Sequence, residues 1–260
     1  GHDGKTNIPS PESQAEQKPF NFQVSIEHFI ITGGSALLNE RRVAIDFSIR
    51  NLAGVLNYQA AREVLETHIR YDGVFDRSSE AKPSIPYTFS ADMDYTRATL
   101  VAQRIVVSSG KSDVKLQGRI NQVLSSDISG KLEYTGTVEV PFLNYFFTEE
   151  MFAGKTEVAG NLEFSRGYFL TRGKTASNAV DFEGWHATKF TGEYAYQYPD
   201  KKLSVRNLSA AIVDGTLTGN VVVESLPGPS RVLLDLDYGG IDAANLARAY
   251  PWDPQYRIFS

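Results

Sequence analysis

The stretch RVLLDLDYGGIDAANLARAY, residues 231–250, decides the fold, because a strand pattern and a helix signal stand side by side in it. Up to Tyr238, leucine and tyrosine alternate with aspartate, and this two-residue period is typical of a strand with one apolar face. Asp242 is a good N-cap for a helix over 243–250, and Pro251 would end that helix. The stretch therefore predicts a strand followed by a short helix.

The same plan occurs earlier in the chain, in GKLEYTGTVEVPFLNYFF at 130–147. There the helix is predicted over 141–147, and its proline falls in the first turn, where it removes no hydrogen bond. The match extends upstream, since Leu116-Gln117-Gly118 corresponds to Leu217-Thr218-Gly219. We interpret the two copies as approximate repeats, over about 87–150 and 158–250, whose matched positions are about 100 residues apart. Chance similarity between amphipathic strands is the alternative.

Period-two alternation continues from Gln23 through most of the chain and predicts a succession of strands. The segment 58–65 also has helical propensity, but the alternation that begins at Val64 favours a strand there. All prolines are expected to lie outside the strands. Turns or loops are predicted where glycine, proline or small polar residues interrupt the pattern, at Gly33-Gly34, 51–54, 77–86, 173–178, Pro199-Asp200 and Asp214-Gly215.

The composition is that of a globular chain with a sizeable core, since 42% of the 260 residues are hydrophobic and 22% are charged. A net charge of −5 without a basic stripe argues against nucleic acid as a partner and against polybasic anchoring to a membrane. The chain has no cysteine, so it forms no disulfide and uses no thiolate chemistry. It has no apolar run of about 18 residues and no signal peptide.

The two ends suggest a piece of a longer protein. Gly1-His2 resembles the remnant of a cleaved tag, and residues 1–19 are polar and proline-containing, so we expect a disordered linker there. The β-domain is predicted over 20–260. The strand pattern still continues at 257–260, so we expect this chain to be a fragment.

A sheet with one apolar face must cover that face or use it. Two helices of about two turns each are too short to cover a dozen strands. Either two sheet layers face each other in a packed sandwich or solenoid, or one long sheet curls around an apolar groove. An open groove of this kind would bury acyl chains at about 0.8 kcal/mol per CH₂ group.

Several segments resemble the TamB and AsmA-like proteins of the Gram-negative cell envelope. They are VKLQGRI at 114–120, GTLTGNVVVE at 215–224, IDAANLARAY at 241–250 and the opening IEHFIITGGSALLNERRVAIDFSIRNLAGVLNY at 26–58, and the resemblance extends over 20–260. It implies a long U-shaped sheet in the periplasm, with an inner-membrane anchor outside this chain. It also implies an apolar groove that conducts phospholipids toward the outer membrane, or a role in outer-membrane protein assembly. The run Tyr194, Tyr196, Tyr198 departs from the pattern because it is more polar than an acyl-chain groove.

With this resemblance, the predicted fold class is all-β: an elongated, curled antiparallel sheet, or β-taco, with an apolar interior and two short helices. The expected ligand is phospholipid or another acyl-chain lipid, and no enzyme activity and no cofactor are expected. The residues predicted to line the groove are the apolar members of the repeated strands, Val114, Leu116, Ile120, Leu132, Tyr134, Val138, Leu217, Val221, Val223, Leu234, Leu236 and Tyr238.

Other side chains that carry chemistry are scattered. Histidines 2, 28, 68 and 186 have no metal-ligand spacing, and the pairs Asp92/Asp94 and Asp235/Asp237 are interpreted as parts of a solvated strand face rather than as acid and base. Trp185 and Trp252 could form a sugar-stacking platform together with the tyrosines. A carbohydrate- or protein-binding β-sandwich of the adhesin or lectin kind is therefore the second hypothesis.

Overall fold

A computed structural model of the chain describes residues 27–40, 45–77, 84–123, 125–140, 152–182, 185–225, 231–240 and 244. Within these ranges it has thirteen β-strands, most of them of ten residues or more. The strands are β1 His28–Glu40, β2 Ile45–Gln59, β3 Val64–Arg77, β4 Ile85–Thr96, β5 Thr99–Ser109, β6 Ser112–Asn121, β7 Ser129–Glu139, β8 Phe152–Ser165, β9 Tyr168–Phe182, β10 Trp185–Tyr198, β11 Lys202–Ile212, β12 Gly215–Glu224 and β13 Arg231–Gly239.

All thirteen strands belong to one antiparallel sheet, whose spatial order is the order of the sequence. β1 and β13 are its two edges, so the sheet is not closed into a barrel. Within the described ranges, every two strands that are in extensive contact are neighbours in the sheet. The prediction of an all-β, antiparallel sheet is confirmed, and the described strands do not divide into the two separate sheets of a sandwich.

Several boundaries agree with the sequence analysis. β3 begins at Val64, and the preceding residues 60–63 form a turn rather than a helix. The tyrosines of β10 pair with β11 across the predicted turn, with Tyr194 opposite Val205 and Tyr196 opposite Leu203. The next hairpin turns at Val213-Asp214, one residue earlier than predicted, and both residues have positive φ angles of 47° and 63°.

Three predicted interruptions are wrong, because the chain passes through them as continuous strand. Gly33-Gly34 lies within β1, 51–54 within β2 and 173–178 within β9. At each of these places one strand has an extra residue relative to its partner, which is a β-bulge. Gly33 and Asn51 occupy the bulges with φ angles of 65° and 55°, so glycine and asparagine serve bulges here rather than turns.

The expectation that every proline lies outside the strands is also wrong. Pro86 is the second residue of β4 and pairs with Val74 of β3. Its carbonyl oxygen accepts a hydrogen bond of 2.6 Å from the Ser109 hydroxyl. A proline this close to the start of a strand removes only one bond of the ladder.

Some predictions fall on residues that the structure does not describe. These are the segment 1–19, the predicted helix 141–147, most of the predicted helix 243–250 and the C-terminal 257–260. Ala244 is described and has helical conformation.

The pairing register assigns every described strand residue to one of two faces, because directly opposed residues lie on the same side of a sheet. On one face, the opposed residues are mainly Val, Leu, Ile, Phe, Tyr, Ala and Gly, and we call it the apolar face. For example, Leu116 of β6 faces Tyr134 of β7, and Leu217 of β12 faces Tyr238 of β13. The opposite side, with residues such as Lys131 and Glu163, is the polar face.

A cluster of buried residues lies on the apolar face of the C-terminal half. Leu208, Ala210 and Ile212 of β11 pack with Ala187 of β10 and Leu217 of β12 into one cluster. Ala210 is 2% exposed, and Ile212 is 7% exposed. Partly buried neighbours that extend the cluster are Val180, Phe190, Val205, Val213, Val221 and Leu236.

The two hairpins that the sequence analysis matched have the same internal register. Gly118 of β6 faces Leu132 of β7, and Gly219 of β12 faces Leu236 of β13. Both glycines have unusual positive φ angles, 149° and 145°. A Cβ atom would lie 2.2 Å from a carbonyl oxygen of the neighbouring strand at Gly118, and 2.1 Å from one at Gly219. Both sites therefore require glycine for the same steric reason.

Candidate functional site

The apolar face is the candidate site, and all twelve residues predicted to line a groove lie on it. Leu116, Leu132 and Tyr134 come together on β6 and β7, while Leu217, Leu236 and Tyr238 come together on β12 and β13. The remaining six lie in the same rows, with Val114, Ile120 and Val138 in the first hairpin and Val221, Val223 and Leu234 in the second.

Exposure differs between the centre and the edge of this face. Leu132 is 6% exposed and Val223 is also 6% exposed, so both are packed among neighbours. On the edge strand β13, Leu234 is 62% exposed and Tyr238 is 58% exposed. A ligand on this side of β13 would therefore meet large apolar side chains that the described residues leave uncovered.

The pairing registers place two charged residues of the described strands on the apolar face, Glu40 of β1 and Arg77 of β3, which both oppose Ile45 at one end of the sheet. The ion pairs between strands lie on the polar face, for example Lys131 with Glu163 at 3.1 Å. An apolar ligand that lies away from Glu40 and Arg77 would therefore bury no charged group that the registers assign to this face.

An aromatic cluster in the N-terminal half belongs to the same face. The rings of Phe47 and Phe75 meet edge to face at 5.2 Å between centroids, and Tyr71 stacks on Phe89 at 4.7 Å. The twelve predicted residues include neither these rings nor Leu208, Ala210 and Ile212 of β11. The same period-two alternation marks them in the sequence.

A polar feature crosses the middle of the apolar face. The hydroxyl oxygens of Tyr134 on β7 and Tyr194 on β10 are 2.6 Å apart, and Tyr134 is also 2.8 Å from Thr171 Oγ1 on β9. Gly160 and Gly173 lie between the two tyrosines in the register. A Cβ on these glycines would come within 2.7 Å and 3.0 Å of the tyrosine oxygens, so the rings lie flat over them. We call Tyr134, Thr171 and Tyr194 the hydroxyl bridge.

Burial raises the pKa of Tyr194 well above its ordinary value of 10.0, and the hydrogen bond and charge interaction with Tyr134 raise it further. Burial likewise raises the pKa of Tyr196 and of Tyr71. These three hydroxyls therefore stay protonated on the apolar face at neutral pH. The face carries neutral donors rather than charges at these positions.

Alkaline pH should destabilise the fold through Tyr194. Above about pH 10 the unfolded chain loses the phenolic proton while the folded chain keeps it, so the stability present below pH 10 decreases as the pH rises toward the raised pKa. Urea unfolding between about pH 8 and pH 11 measures this slope, and Tyr194→Phe should make it shallower. An unchanged alkaline slope in Tyr194→Phe would show that the prediction is wrong.

The polar face has an open depression of about 900 Å³ over β7–β11. Small residues such as Ala159 and Ala195 line its floor, and long charged side chains line its rim. Arg172 and Lys174 pair there with Glu163 and Glu193, at 3.1 Å and 3.7 Å. The other charged residues that line it are Glu133, Asp200, Lys202 and Arg206. The depression offers mixed charge rather than a surface of one sign.

The scattered histidines and aspartates lie apart from the apolar face. On the polar face, His68 Nδ1 is 2.5 Å from Asp92 Oδ1, and His186 Nδ1 is 2.7 Å from Asp181 Oδ1. Asp235 and Asp237 also lie on the polar face of β13. The described ranges contain no group of three or more His, Cys, Asp or Glu residues arranged to hold a metal ion. Trp252 and the side chain of Trp185 lie outside what the structure describes.

No protein-family model, no curated protein and no solved structure matches the chain. In the part of the chain that the structure describes, no helix is long and apolar enough to cross a membrane. The fold and the site define a structural class: a single open antiparallel sheet with one apolar face and one polar face.

Proposed function

We propose that the chain binds the acyl chains of phospholipids on its apolar face, which curls into a groove. The observation that carries the proposal is an apolar face that continues across thirteen hydrogen-bonded strands and to which the registers assign only two charged residues, Glu40 and Arg77 at one end. At about 4.8 Å per strand, thirteen strands extend for roughly 58 Å, about twice the hydrocarbon thickness of a bilayer. Such a face offers acyl chains a continuous apolar path.

The energetics favour a lipid over a polar ligand on this face. Each CH₂ group that leaves water contributes about 0.8 kcal/mol, and Arg77, at one end of the sheet, is the one cation that the registers of the described strands assign to this face. Edge residues such as Leu234 and Tyr238 are more than half exposed, at 62% and 58%. A lipid that covers them would therefore remove their apolar surface from water as well.

The wider role follows from the resemblance to TamB and AsmA-like proteins. In that role the chain is a periplasmic part of a protein anchored in the inner membrane outside this sequence, and it conducts phospholipids toward the outer membrane. Assistance to outer-membrane protein assembly is the other role that the resemblance implies. Both roles would use the proposed groove or the edge strands of the sheet.

Photo-crosslinking tests the proposal with neighbouring residues as controls. A benzophenone amino acid at Leu116 or Leu236 on the apolar face should capture phospholipid from a membrane extract. The same probe at Lys115 or Asp235, one residue away on the polar face, should capture several-fold less. Equal labelling on the two faces, or no labelling on the apolar face, would contradict the proposal. Mass spectrometry of lipid extracted from the purified protein then identifies the class bound.

The depression on the polar face supports a second function, the binding of a carbohydrate or a protein segment. Its volume of about 900 Å³ and its mixture of amide and charged groups fit a polar ligand with both hydroxyl and anionic groups. Glycan-array binding that disappears in a Lys202→Ala and Arg206→Ala double variant would favour this function. The same variant should leave lipid capture on the apolar face unchanged.

A further inference from the structure

The hydroxyl bridge has one more donor than its own contacts can use. Tyr134, Thr171 and Tyr194 each carry one O–H group, and the two contacts among them use one donor each. Whichever way each hydrogen bond runs, one O–H group is left without an acceptor in these contacts. All three residues are partly exposed, so a ligand lying on the apolar face can reach that donor.

The surroundings determine which acceptor fits. The bridge lies on strands β7 to β10, between the aromatic cluster of Phe47, Phe75, Tyr71 and Phe89 and the buried cluster around Leu208. A phosphate group at this position would lie where the pairing registers of β7 to β10 place no cation on the apolar face, and burying an unpaired charge is costly. A neutral carbonyl oxygen accepts the hydrogen bond without that cost. In a glycerophospholipid, such carbonyls are found in the ester links between the glycerol and the acyl chains.

We propose that the hydroxyl bridge recognises the ester carbonyl of a glycerolipid and so determines which acyl lipids the apolar face prefers. This inference rests on the proposed lipid-binding function. The bridge holds the ester region at the middle of the sheet, and the acyl chains extend over the apolar rows on either side. A lipid without a carbonyl covers the remaining donor without satisfying it, and a buried donor left unpaired weakens binding.

The test compares two short-chain phosphatidylcholines of the same carbon count, one a diester and the other a diether, both below their micelle concentrations. The parent chain should bind the diester about ten times more tightly, the effect of one satisfied hydrogen bond in a desolvated site. Tyr134→Phe, Thr171→Val and Tyr194→Phe together remove all three O–H groups, and the rings still cover Gly160 and Gly173. This triple variant should bind the two lipids equally, and it should bind the diether at least as tightly as the parent does, because no unpaired donor is left.

A matched control is Tyr196→Phe, which removes a hydroxyl from the same face of β10 outside the bridge. It should keep the preference for the diester, and urea unfolding of each variant checks that the fold is retained. Equal affinity of the parent for the two lipids would overturn the inference and leave the proposed function intact. So would a preference that persists in the triple variant, or an equal loss of both lipids in it. If the parent binds neither lipid, the proposed function fails together with the inference.

Discussion

Gly136→Ala should lower the free energy of unfolding by about 3 kcal/mol, at the upper end of what overpacking costs. Gly136 lies on the apolar face of β7, and an added Cβ would be 2.1 Å from the Asp113 carbonyl oxygen and 2.7 Å from the Val114 Cα. Both atoms belong to the backbone of β6, so a side-chain rotation cannot relieve the contact. The two strands would have to separate or shift, which weakens their hydrogen bonds.

The matched control is Gly239→Ala at the end of β13, where an added Cβ would have no neighbour within 4 Å. Urea unfolding followed by circular dichroism should show a small change for this variant, within about 0.5 kcal/mol. If the two alanine variants have equal stabilities, β6 and β7 do not pair as closely as the structure has them.

Leu217→Asp should destabilise the sheet by about 4 kcal/mol, because it places an unpaired charge in the buried cluster. Leu217 is 9% exposed and packs with Ala210 and Ile212, and these neighbours offer the carboxylate no hydrogen-bonding side chain. The measurement is the free energy of unfolding at neutral pH. Part of the loss should be recovered at acidic pH, where the new carboxyl group is protonated.

Thr218→Asp introduces the same charge one residue further along β12, on the polar face. Thr218 is exposed and lies opposite Asp237, so the loss of stability should be limited to the repulsion between the two carboxylates, at most about 1 kcal/mol. Similar losses in Leu217→Asp and Thr218→Asp would show that the assignment of the two faces is wrong.

Alternation predicted the two faces correctly wherever a strand is regular. It failed at the bulges, because one extra residue moves every later side chain to the other face. Gly33 and Asn51 show this directly, since the alternation loses its phase at both and the loss resembles a turn. In β9 the small residues 173–178 resembled a loop for the same reason, although Gly173 is needed there to make room beneath Tyr194.

The hydroxyl bridge could not be predicted from local pattern. Tyr134 and Tyr194 are 60 residues apart, and they meet only because two intervening strands place Gly160 and Gly173 opposite each other. The sequence marked Tyr194 only as more polar than its neighbours. The pairing register of four consecutive strands brings Tyr134 to Tyr194, and this register depends on the bulges as well as on the alternation.

The strict order of the sheet, in which each strand pairs only with the strands before and after it, has a mechanical consequence. Tension applied to the two ends of the sheet would separate strands one after another from its edges inward, because no extensive contact between non-neighbouring strands of the described ranges resists the pull. The same architecture tolerates changes of length, since a whole hairpin can be added or deleted while the remaining pairs keep their register. The width of such a sheet can therefore change in steps of two strands.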